Sequence, residues 1–242
     1  MRTSLLPITA LSALLLASLA QADELEPFQA SYTMTYSGLG EVMSSSVSLT
    51  QTAPGLWDYK SVGRPHGLAS LLAPKEVISE SHLHITASDV QPLSYRADDA
   101  AGRSSRSINI QYDWASNKIT GTDSGQMIDM ALKPGVQDDS SLQVALMHDL
   151  LAGKVPTTVS IYDKSGIRDY QFTQTGTETL HTPMGDIPTV IYKSQRTGSP
   201  RYNQYWCAPS LGYLPLKVEQ KRLNDNVWTL TATAAKRGTP NP

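Results

Sequence analysis

The sequence predicts a mainly β protein, a single antiparallel meander curled into an open barrel or half-barrel around one α-helix. Many short segments alternate apolar and polar residues, and turns containing Gly, Pro or Asn separate them at near-even spacing. Only one longer segment has clear helical periodicity. A sheet with so many strands must curl, and a buried helix gives it something to curl around.

The N-terminal half of the predicted domain begins with a clear period of two. Residues 28–36 alternate apolar side chains with Gln, Ser and Thr, and a Gly-Leu-Gly turn follows. Residues 63–74 lack this period, and we expect a short helical turn beneath a loop there. The other strands predicted in this half are residues 42–52, 56–62, 75–86, 91–96, 108–114, 118–122 and 127–132.

The predicted helix covers residues 140–152, SSLQVALMHDLLA. Its leucines, among them Leu146, recur at spacing four and predict a wide apolar stripe that the concave side of the sheet must cover. Ser140 and Gln143 fit a capping box, with an Asp just before them suiting the helix dipole. Gly153 stands where a left-handed C-terminal cap belongs.

Strands resume after the helix and continue almost to the C-terminus. In the hairpin of residues 201–220, we expect Pro209 to fix the entry to the turn and Gly212 to adopt a positive φ. Trp206 and Leu216 are expected to commit its two strands to the core. The predicted strands are residues 157–163, 167–175, 177–181, 187–195, 201–207, 213–222 and 227–234.

Residues 1–22 have the parts of a secretory signal: Arg2, an apolar run and a small-x-small ending. The run is short for a membrane span of roughly 20 residues, although an uncleaved anchor is the alternative. Cys207 is the single cysteine, so we expect neither a lipid anchor nor an internal disulfide. These features predict a soluble periplasmic protein with one domain over residues 23–242, whose tail frays from residue 236.

The charge balance excludes some classes of partner. The net charge is −2 and there is no block of basic residues, which argues against binding nucleic acid and against electrostatic binding to membranes. No phosphate loop, dinucleotide fingerprint or calcium loop occurs in the sequence, so we expect no cofactor. No second apolar run is long enough to be a transmembrane segment.

Several stretches resemble those of one family of exported bacterial proteins, the domain of unknown function 3108. They are YWCAPSLGYLPLKVEQ, INIQYDW, QDDSSLQ followed by LLAG, and TETLHTPMGDIPTVIY, spread in the same order over nearly all of the chain. The resemblance implies an exported, mostly β envelope protein without an established activity. It supplies no catalytic residues.

Two arrangements of reactive side chains are candidate sites. Glu80, His82 and His84 share one side of a strand, where they fit either metal ligands or an ordinary polar outer face. An envelope hydrolase would use His66 or His181 with a Ser or Cys nucleophile, but the sequence has no G-x-S-x-G motif. Cys207 lies mid-strand and fits a small buried side chain better than a nucleophile. We therefore assign no catalytic and no metal site.

Aromatic residues on the strands are the candidates for a ligand site. They would form the wall of an apolar pocket inside the curled sheet, or simply pack on the helix. The candidates are Trp57, Tyr59, Tyr112, Trp114, Tyr205 and Trp206.

The leading hypothesis is a non-enzymatic binder of an apolar or amphipathic, lipid-like envelope ligand, or of an envelope protein partner. The alternatives are a structural or interaction protein with a filled interior and, more distantly, an envelope hydrolase. An empty cavity lined by aromatic residues would distinguish the first hypothesis from the second. A His within hydrogen-bond reach of a Ser or Cys in a cleft would favour the hydrolase.

Overall fold

The computed structural model describes residues 24–72, 75–99, 106–163, 166–223 and 225–238. Within these ranges the chain forms one antiparallel sheet of fourteen strands, with two α-helices in the connections. The predicted signal segment, residues 1–22, lies outside the described residues.

The elements follow the predicted order. The first half consists of β1 Phe28–Tyr36, β2 Gly40–Ala53, β3 Leu56–Pro65, α1 Leu68–Leu72, β4 Val77–Ile85, β5 Val90–Asp99, β6 Arg106–Asp113, β7 Lys118–Asp123 and β8 Gln126–Ala131. The second half consists of α2 Ser141–Leu151, β9 Thr158–Tyr162, β10 Ile167–Thr182, β11 Gly185–Arg196, β12 Arg201–Ala208, β13 Leu214–Arg222 and β14 Asp225–Arg237. One difference is that the predicted strands 167–175 and 177–181 form the single strand β10, which continues through a register shift at Gly176.

The first and last strands meet in the middle of the sheet. Their ladder runs from Phe28 opposite Arg237 to Tyr36 opposite Trp228. Lys236 lies in this ladder, so Lys236 and Arg237 belong to the sheet rather than to a frayed tail. The free edges of the sheet are therefore β8 and β9, both next to α2 in the sequence.

The sheet curls until β8 and β9 approach each other, but among the described residues no ladder joins them. The segment before α2 crosses the gap instead. The Gln137 N–H donates to the Ser160 carbonyl at 2.9 Å, and the Tyr162 N–H donates to the Gln137 carbonyl at 2.7 Å. This single parallel bridge leaves the barrel open, as predicted.

Two layers of apolar side chains fill the curl beside this gap. Ile161 lines a cavity next to α2, whereas its neighbour Tyr162 packs into a separate cluster with Ile110, Ile119 and Val136. Because successive side chains of a strand point to opposite faces, β9 is covered on both sides.

Helix α2 lies on the concave side of the sheet, which confirms the predicted architecture. Val144 and Met147 pack into the cluster formed mainly by β1–β5. Leu146 and Leu150 pack with residues of β10, β11 and β12, including Phe172. Burial of each of these Leu, Val and Met side chains stabilises the fold by about 1.5–3 kcal/mol. Because they contact strands of both halves, the helix joins the two halves of the curl.

The N-terminus of α2 is capped by a different residue from the one predicted. Ser140 has a helical backbone (φ −85°, ψ −49°) and makes no capping bond with its side chain, so the predicted capping box is wrong. Asp138 takes that role: its Oδ1 accepts the N–H groups of Ser140 at 3.0 Å and Ser141 at 2.8 Å. The Ser140 hydroxyl points instead to the Ser79 hydroxyl on β4.

The C-terminus of α2 ends as the sequence predicts. Gly153 has a φ of 71°, the left-handed conformation that Gly adopts without steric cost. Its N–H donates to the Leu150 carbonyl, and the Lys154 N–H donates to the Asp149 carbonyl at 2.8 Å. These two bonds form a Schellman motif, which satisfies carbonyls that the helix leaves unpaired.

The β12–β13 hairpin confirms the prediction for its turn. Pro209–Leu211 form a 3₁₀ turn, and Gly212 follows with a φ of 66°. A side chain at Gly212 would also approach the Arg237 guanidinium to within 2.9 Å. Leu216 is fully buried, as expected, but Trp206 does not share its surroundings, as described below.

Candidate binding site

Helix α2 is held by hydrogen bonds to one side of the curl, which we call the first wall (β1–β8). The Tyr59 hydroxyl donates to Gln143 Oε1 at 3.0 Å. At the other end of the helix, His148 Nε2 lies 3.0 Å from the Thr86 carbonyl. These two contacts, from β3 and from the loop after β4, fix the position of α2 along the first wall.

Asp138 adds the most buried of these polar contacts. The Ser81 hydroxyl donates to its Oδ1 at 2.6 Å, and the Tyr112 hydroxyl lies 3.4 Å from its Oδ2. Burial raises the pKa of Asp138 to about 6, although the bonds from Ser81 and from the Ser141 N–H act to lower it. Capping the helix and bonding to β4 and β6, this carboxyl joins α2 firmly to the first wall.

The opposite side of the helix faces the second wall (β9–β14) quite differently. Among the described residues, no side-chain hydrogen bond joins α2 to these strands. Beside the apolar contacts of Leu146 and Leu150 with this wall lies a cavity of about 390 Å³, bounded on the helix by Leu142 and Leu146. Its aromatic lining consists of Tyr170, Tyr205 and Trp228.

The second wall presents its side chains to this cavity in layers. Tyr205 lies opposite Val218 in the β12–β13 ladder, and both line the cavity. Two residues further along each strand, Asn203 lies opposite Gln220, and Ser194 lies opposite Asn203 on β11. Because every second side chain of a strand shares a face, an apolar layer is followed by a layer of polar side chains.

The polar layer is tied together by hydrogen bonds. Gln220 Nε2 donates to Asn203 Oδ1 at 3.4 Å, and Asn203 Nδ2 donates to the Tyr205 hydroxyl at 3.3 Å. The Ser194 hydroxyl also lies 3.3 Å from the Tyr205 hydroxyl. Across the cavity, Gln143 Nε2 has no hydrogen-bond partner among the described residues. The site therefore offers a preorganised set of donors and acceptors next to the apolar layer of Tyr205 and Val218, which we call the floor of the cavity.

An acidic corner lies at one side of the same cavity. Asp139 lines it with an exposed side chain; the surrounding protein and the nearby Asp163 carboxylate act to raise its pKa, while Arg106 acts to lower it. The Tyr170 hydroxyl donates to Asp163 Oδ2 at 3.1 Å. Burial raises the pKa of Tyr170 to about 12, so this phenol remains a neutral donor at physiological pH.

A smaller cavity of about 200 Å³ continues along the helix towards the gap between β8 and β9. Leu142 and Leu146 border it as well, so these two side chains separate the two spaces. Phe172 and Gln137 form part of its other walls. Helix α2 is therefore bordered by empty space on the side of the second wall.

The six aromatic candidates do not form one wall. Tyr205 lines the cavity. Tyr59 and Tyr112 point to the polar contacts of α2, and Trp57 borders a separate surface cavity near the end of the helix. Trp114 is half-buried, with its indole N–H donating to the Pro92 carbonyl at 2.7 Å.

Trp206 lies on the outer face of the sheet, so the expectation that it faces the core is wrong. Its indole N–H donates to Glu178 Oε2 at 2.6 Å, and the Lys217 ammonium lies 4.3 Å from its ring centre. Tyr205 is its neighbour on β12 and points inward, which leaves the outer face for Trp206. These outer contacts bury the indole to 5% exposure without the helix.

The residues considered for metal binding and hydrolysis are engaged elsewhere. Glu80 pairs with Lys60 at 2.6 Å, and His82 Nδ1 lies 2.6 Å from Asp58. Within the described residues no group of three or more metal-ligand side chains was found.

The histidines proposed for hydrolysis have carboxylate neighbours: His66 lies 3.2 Å from Glu41, and His181 lies 2.6 Å from Asp186. Cys207 is fully buried, which raises the pKa of its thiol. Among the described residues, no His side chain forms a hydrogen bond with a Ser or Cys side chain, which is the arrangement that would favour a hydrolase.

Sequence reasoning missed the polar layer, Tyr170 and Trp228. A signal for the layer exists in the β12 segment RYNQYW, where Asn203 stands two residues before Tyr205. On β13, Gln220 likewise follows Val218 at spacing two. Polar residues in phase with apolar ones on the inner face of a strand place polar groups inside the curl, where they need hydrogen-bond partners.

Comparison with known proteins places the chain in a family and a fold. The model of the family DUF3108, described as a protein of unknown function, matches residues 31–233. A β-barrel-like protein of the domain of unknown function DUF1849 from Brucella abortus has a similar structure. Its TM-score is 0.55 at 8% identity, over 89% of this chain and 99% of that one.

A second similar structure is the MucA/MucB complex of Pseudomonas aeruginosa. The TM-score is 0.39 at 12% identity, over 91% of this chain and 55% of that one. This value is too low to add to the comparison of folds. Curated proteins gave no match. No helix in the described ranges has the length and hydropathy needed to cross a membrane.

Proposed function

The chain belongs to DUF3108, a family of unknown function, and we propose that it is a soluble envelope protein that binds an amphipathic ligand between α2 and the second wall. The observation that carries this proposal is the cavity of about 390 Å³ on the concave side of the sheet. Small-molecule sites typically occupy roughly 300–1,000 Å³, so the space suits part of a lipid-like molecule.

The chemistry of the lining supports an amphipathic ligand over a wholly apolar or wholly polar one. Leu142, Leu146 and Val218 offer an apolar surface. A hydrocarbon chain binds to such a surface because binding removes it from water. Asn203 and Gln220 line the cavity with amide groups, and Gln143 Nε2 lacks a hydrogen-bond partner among the described residues. A ligand with both characters satisfies both parts of the lining.

The hydrogen bonds to the first wall support a ligand site over a filled interior. An apolar helix next to empty space is driven to move into that space, because protein interiors pack densely. Asp138, Gln143 and His148 hold α2 in place by bonds to the first wall. The cavity is therefore a built feature of the structure. If the interior were filled, hydrogen bonds that hold α2 away from the second wall would not be needed.

Binding of a neutral apolar fluorophore, N-phenyl-1-naphthylamine, tests the proposal on the full-length protein purified from the periplasm. Val218→Trp places a large side chain in the cavity, and we expect it to reduce the fluorescence increase at least about tenfold, in line with loss of an apolar site. Thr231→Trp is the matched control, because Thr231 lies opposite Lys217 on the outer face. It should bind as the wild type does.

Two results would contradict the proposal. One is equal binding by wild type and Val218→Trp, which would place the fluorophore elsewhere. The other is no binding by any variant together with no small molecule on the wild type in native mass spectrometry, which would favour a filled interior. A co-purifying protein without a small molecule would instead favour a protein partner.

A further inference from the structure

Three arginines lie side by side where strands β11, β12 and β13 reach the mouth of the cavity. Arg201, the first residue of β12, is paired with Arg222, the last residue of β13. On β11, the ladder that reaches Gln195 opposite Tyr202 brings Arg196 next to Arg201 one step further. Directly opposite residues of an antiparallel pair have Cβ atoms about 4.5–5.5 Å apart. The three side chains therefore form a row.

This row faces the same way as the cavity lining. Ser194, Asn203 and Gln220 line the cavity, and each arginine stands two residues from one of them along its own strand. Because the side-chain period of a strand is two, the arginines form the next layer outward. From floor to mouth, the second wall thus changes from apolar, through amide, to cationic.

The three arginines of the row differ in their ion pairing from four other arginines of the described chain. Arg64, Arg96, Arg106 and Arg237 each form an ion pair with a carboxylate. Among the described residues, no ion pair within 4.0 Å involves the three arginines of the row. Like charges on neighbouring strands repel one another, so an unpaired row costs stability unless an anion neutralises it.

The backbone around the row is held in place by its own bonds. Gln195 Nε2 donates to the Ser199 carbonyl at 2.8 Å, and the Arg201 N–H donates to the Ser199 hydroxyl at 3.1 Å. After β13, the Leu223 N–H donates to the Pro200 carbonyl at 2.7 Å. These contacts join the ends of the three strands, so the spacing of the arginines is set before any ligand arrives.

Carboxylates stand elsewhere around the mouth. Asp139 and Asp163 form the acidic corner beside β9 and β10. Asp225 lies opposite Arg222 in the ladder without forming an ion pair. Three positive charges thus lie together on β11–β13, between Asp225 on β14 and the acidic corner beside β9 and β10.

We propose that the amphipathic ligand carries a phosphate headgroup, which the arginine row binds while the apolar part enters the cavity. This inference rests on the proposed function. The planar fork of a guanidinium matches the oxygens of a phosphate with paired hydrogen bonds, and a lysine does not. A tetrahedral phosphate has enough oxygens to engage neighbouring arginines, and its charge relieves their repulsion.

Ligands with the same twelve-carbon chain test the headgroup. Dodecyl phosphate, dodecyl maltoside and inorganic phosphate are each titrated into the full-length protein by isothermal calorimetry. We expect dodecyl phosphate to bind roughly tenfold or more tightly than dodecyl maltoside. Its affinity should fall with rising salt, whereas that of the maltoside should not. Inorganic phosphate should bind far more weakly than dodecyl phosphate, since it lacks the apolar part.

Variants of the row test the residues. The double variant R201Q/R222Q should weaken dodecyl phosphate roughly tenfold or more while leaving dodecyl maltoside within about twofold, because only the charged contacts are removed. R96Q is the matched control, an exposed arginine on β5 in the first wall. It should bind both ligands as the wild type does.

The outcomes separate this inference from the proposed function. Equal affinity of the wild type for dodecyl phosphate and dodecyl maltoside, or unchanged dodecyl phosphate binding by R201Q/R222Q, overturns the phosphate headgroup and leaves the amphiphile site standing. Binding of inorganic phosphate as tightly as dodecyl phosphate overturns the inference in favour of a site for the free ion. Binding of none of the three ligands overturns the proposed function itself.

Discussion

The two walls around α2 contact the same helix in different ways. The first wall holds it with buried polar contacts, in which Asp138, Gln143 and His148 bond to β3, β4, β6 and the loop after β4. The second wall meets it through apolar contacts such as that of Leu146 with Phe172, and leaves a cavity beside them. One wall positions the helix, and the other leaves room for a ligand.

The difference explains how a small β protein keeps an open interior. Apolar packing is non-directional, so a helix held only by leucines would settle against both walls. Hydrogen bonds are directional and costly to break when buried, so they hold α2 at one distance from the first wall. Polar anchoring on one side is thus what permits empty space on the other.

The largest expected effect is a difference in stability loss between substitutions on the packed face of α2 and on its cavity face. Met147 is 1% exposed within the cluster of the first wall, and Met147→Ala should lower the free energy of unfolding by about 2–5 kcal/mol. Leu142 is half-buried and already borders empty space, so Leu142→Ala should cost less than half as much. Urea unfolding of both variants measures this. Equal losses would contradict the asymmetry.

Removing the cap should detach the helix from the first wall. Asp138→Ala deletes the acceptor of two backbone N–H groups and of the Ser81 hydroxyl. Loss of a cap and of buried hydrogen bonds together should cost about 2–4 kcal/mol. We also expect weaker binding of N-phenyl-1-naphthylamine, because the cavity collapses once α2 moves. A stability loss with unchanged binding would show that the cavity does not depend on this anchor.

The pH dependence of stability should reveal the contribution of the Asp138 carboxyl without removal of its side chain. The folded pKa of Asp138, about 6, lies above the value of about 3.9 in unfolded chains. Its contribution to stability is therefore fully present below about pH 4 and is lost as pH rises through 6.

Comparison with Asp138→Asn isolates this carboxyl, because every other titratable group is the same in both proteins. Between pH 4 and 7 the wild type should lose about 1–3 kcal/mol relative to the variant. Urea unfolding at several pH values measures the difference. Parallel stability curves would show that Asp138 does not titrate in this range.

The smallest expected effect lies on the outer face of the second wall. Trp206→Phe removes the hydrogen bond from the indole to Glu178 and should lower stability by about 1 kcal/mol. Binding of N-phenyl-1-naphthylamine should not change, because this side chain faces away from the cavity. Glu178→Gln is the matched control for the charge. A loss of binding in Trp206→Phe would place the ligand outside the curl.

Prediction from sequence succeeded where the signal is local. The alternation in β1, the stripe of α2 and the left-handed Gly153 and Gly212 all depend on neighbours along the chain. It failed at the helix cap, where Asp138 and Ser140 are both good capping residues. Contacts with Ser81 and Ser79 on β4, about 60 residues earlier, decide between them.

The candidate site was predicted only in part for the same reason. Tyr205 was identified as a candidate, and it lines the cavity. Because side chains alternate along a strand, the sequence predicts that Tyr205 and Trp206 point to opposite faces. It does not predict which of these faces is concave. Aromatic character alone therefore selected Trp206 together with its neighbour.

The sequence by itself determined the fold class, the position of the buried helix and the turns, because period, capping and Gly conformation are properties of adjacent residues. Only the tertiary structure decided that β1 pairs with β14 and that β8 and β9 remain edges. It alone brought Arg196, Arg201 and Arg222 into one row at the mouth of a cavity. Such a row depends on the register between strands, which is set by hydrogen bonds between distant segments and by the curl of the whole sheet.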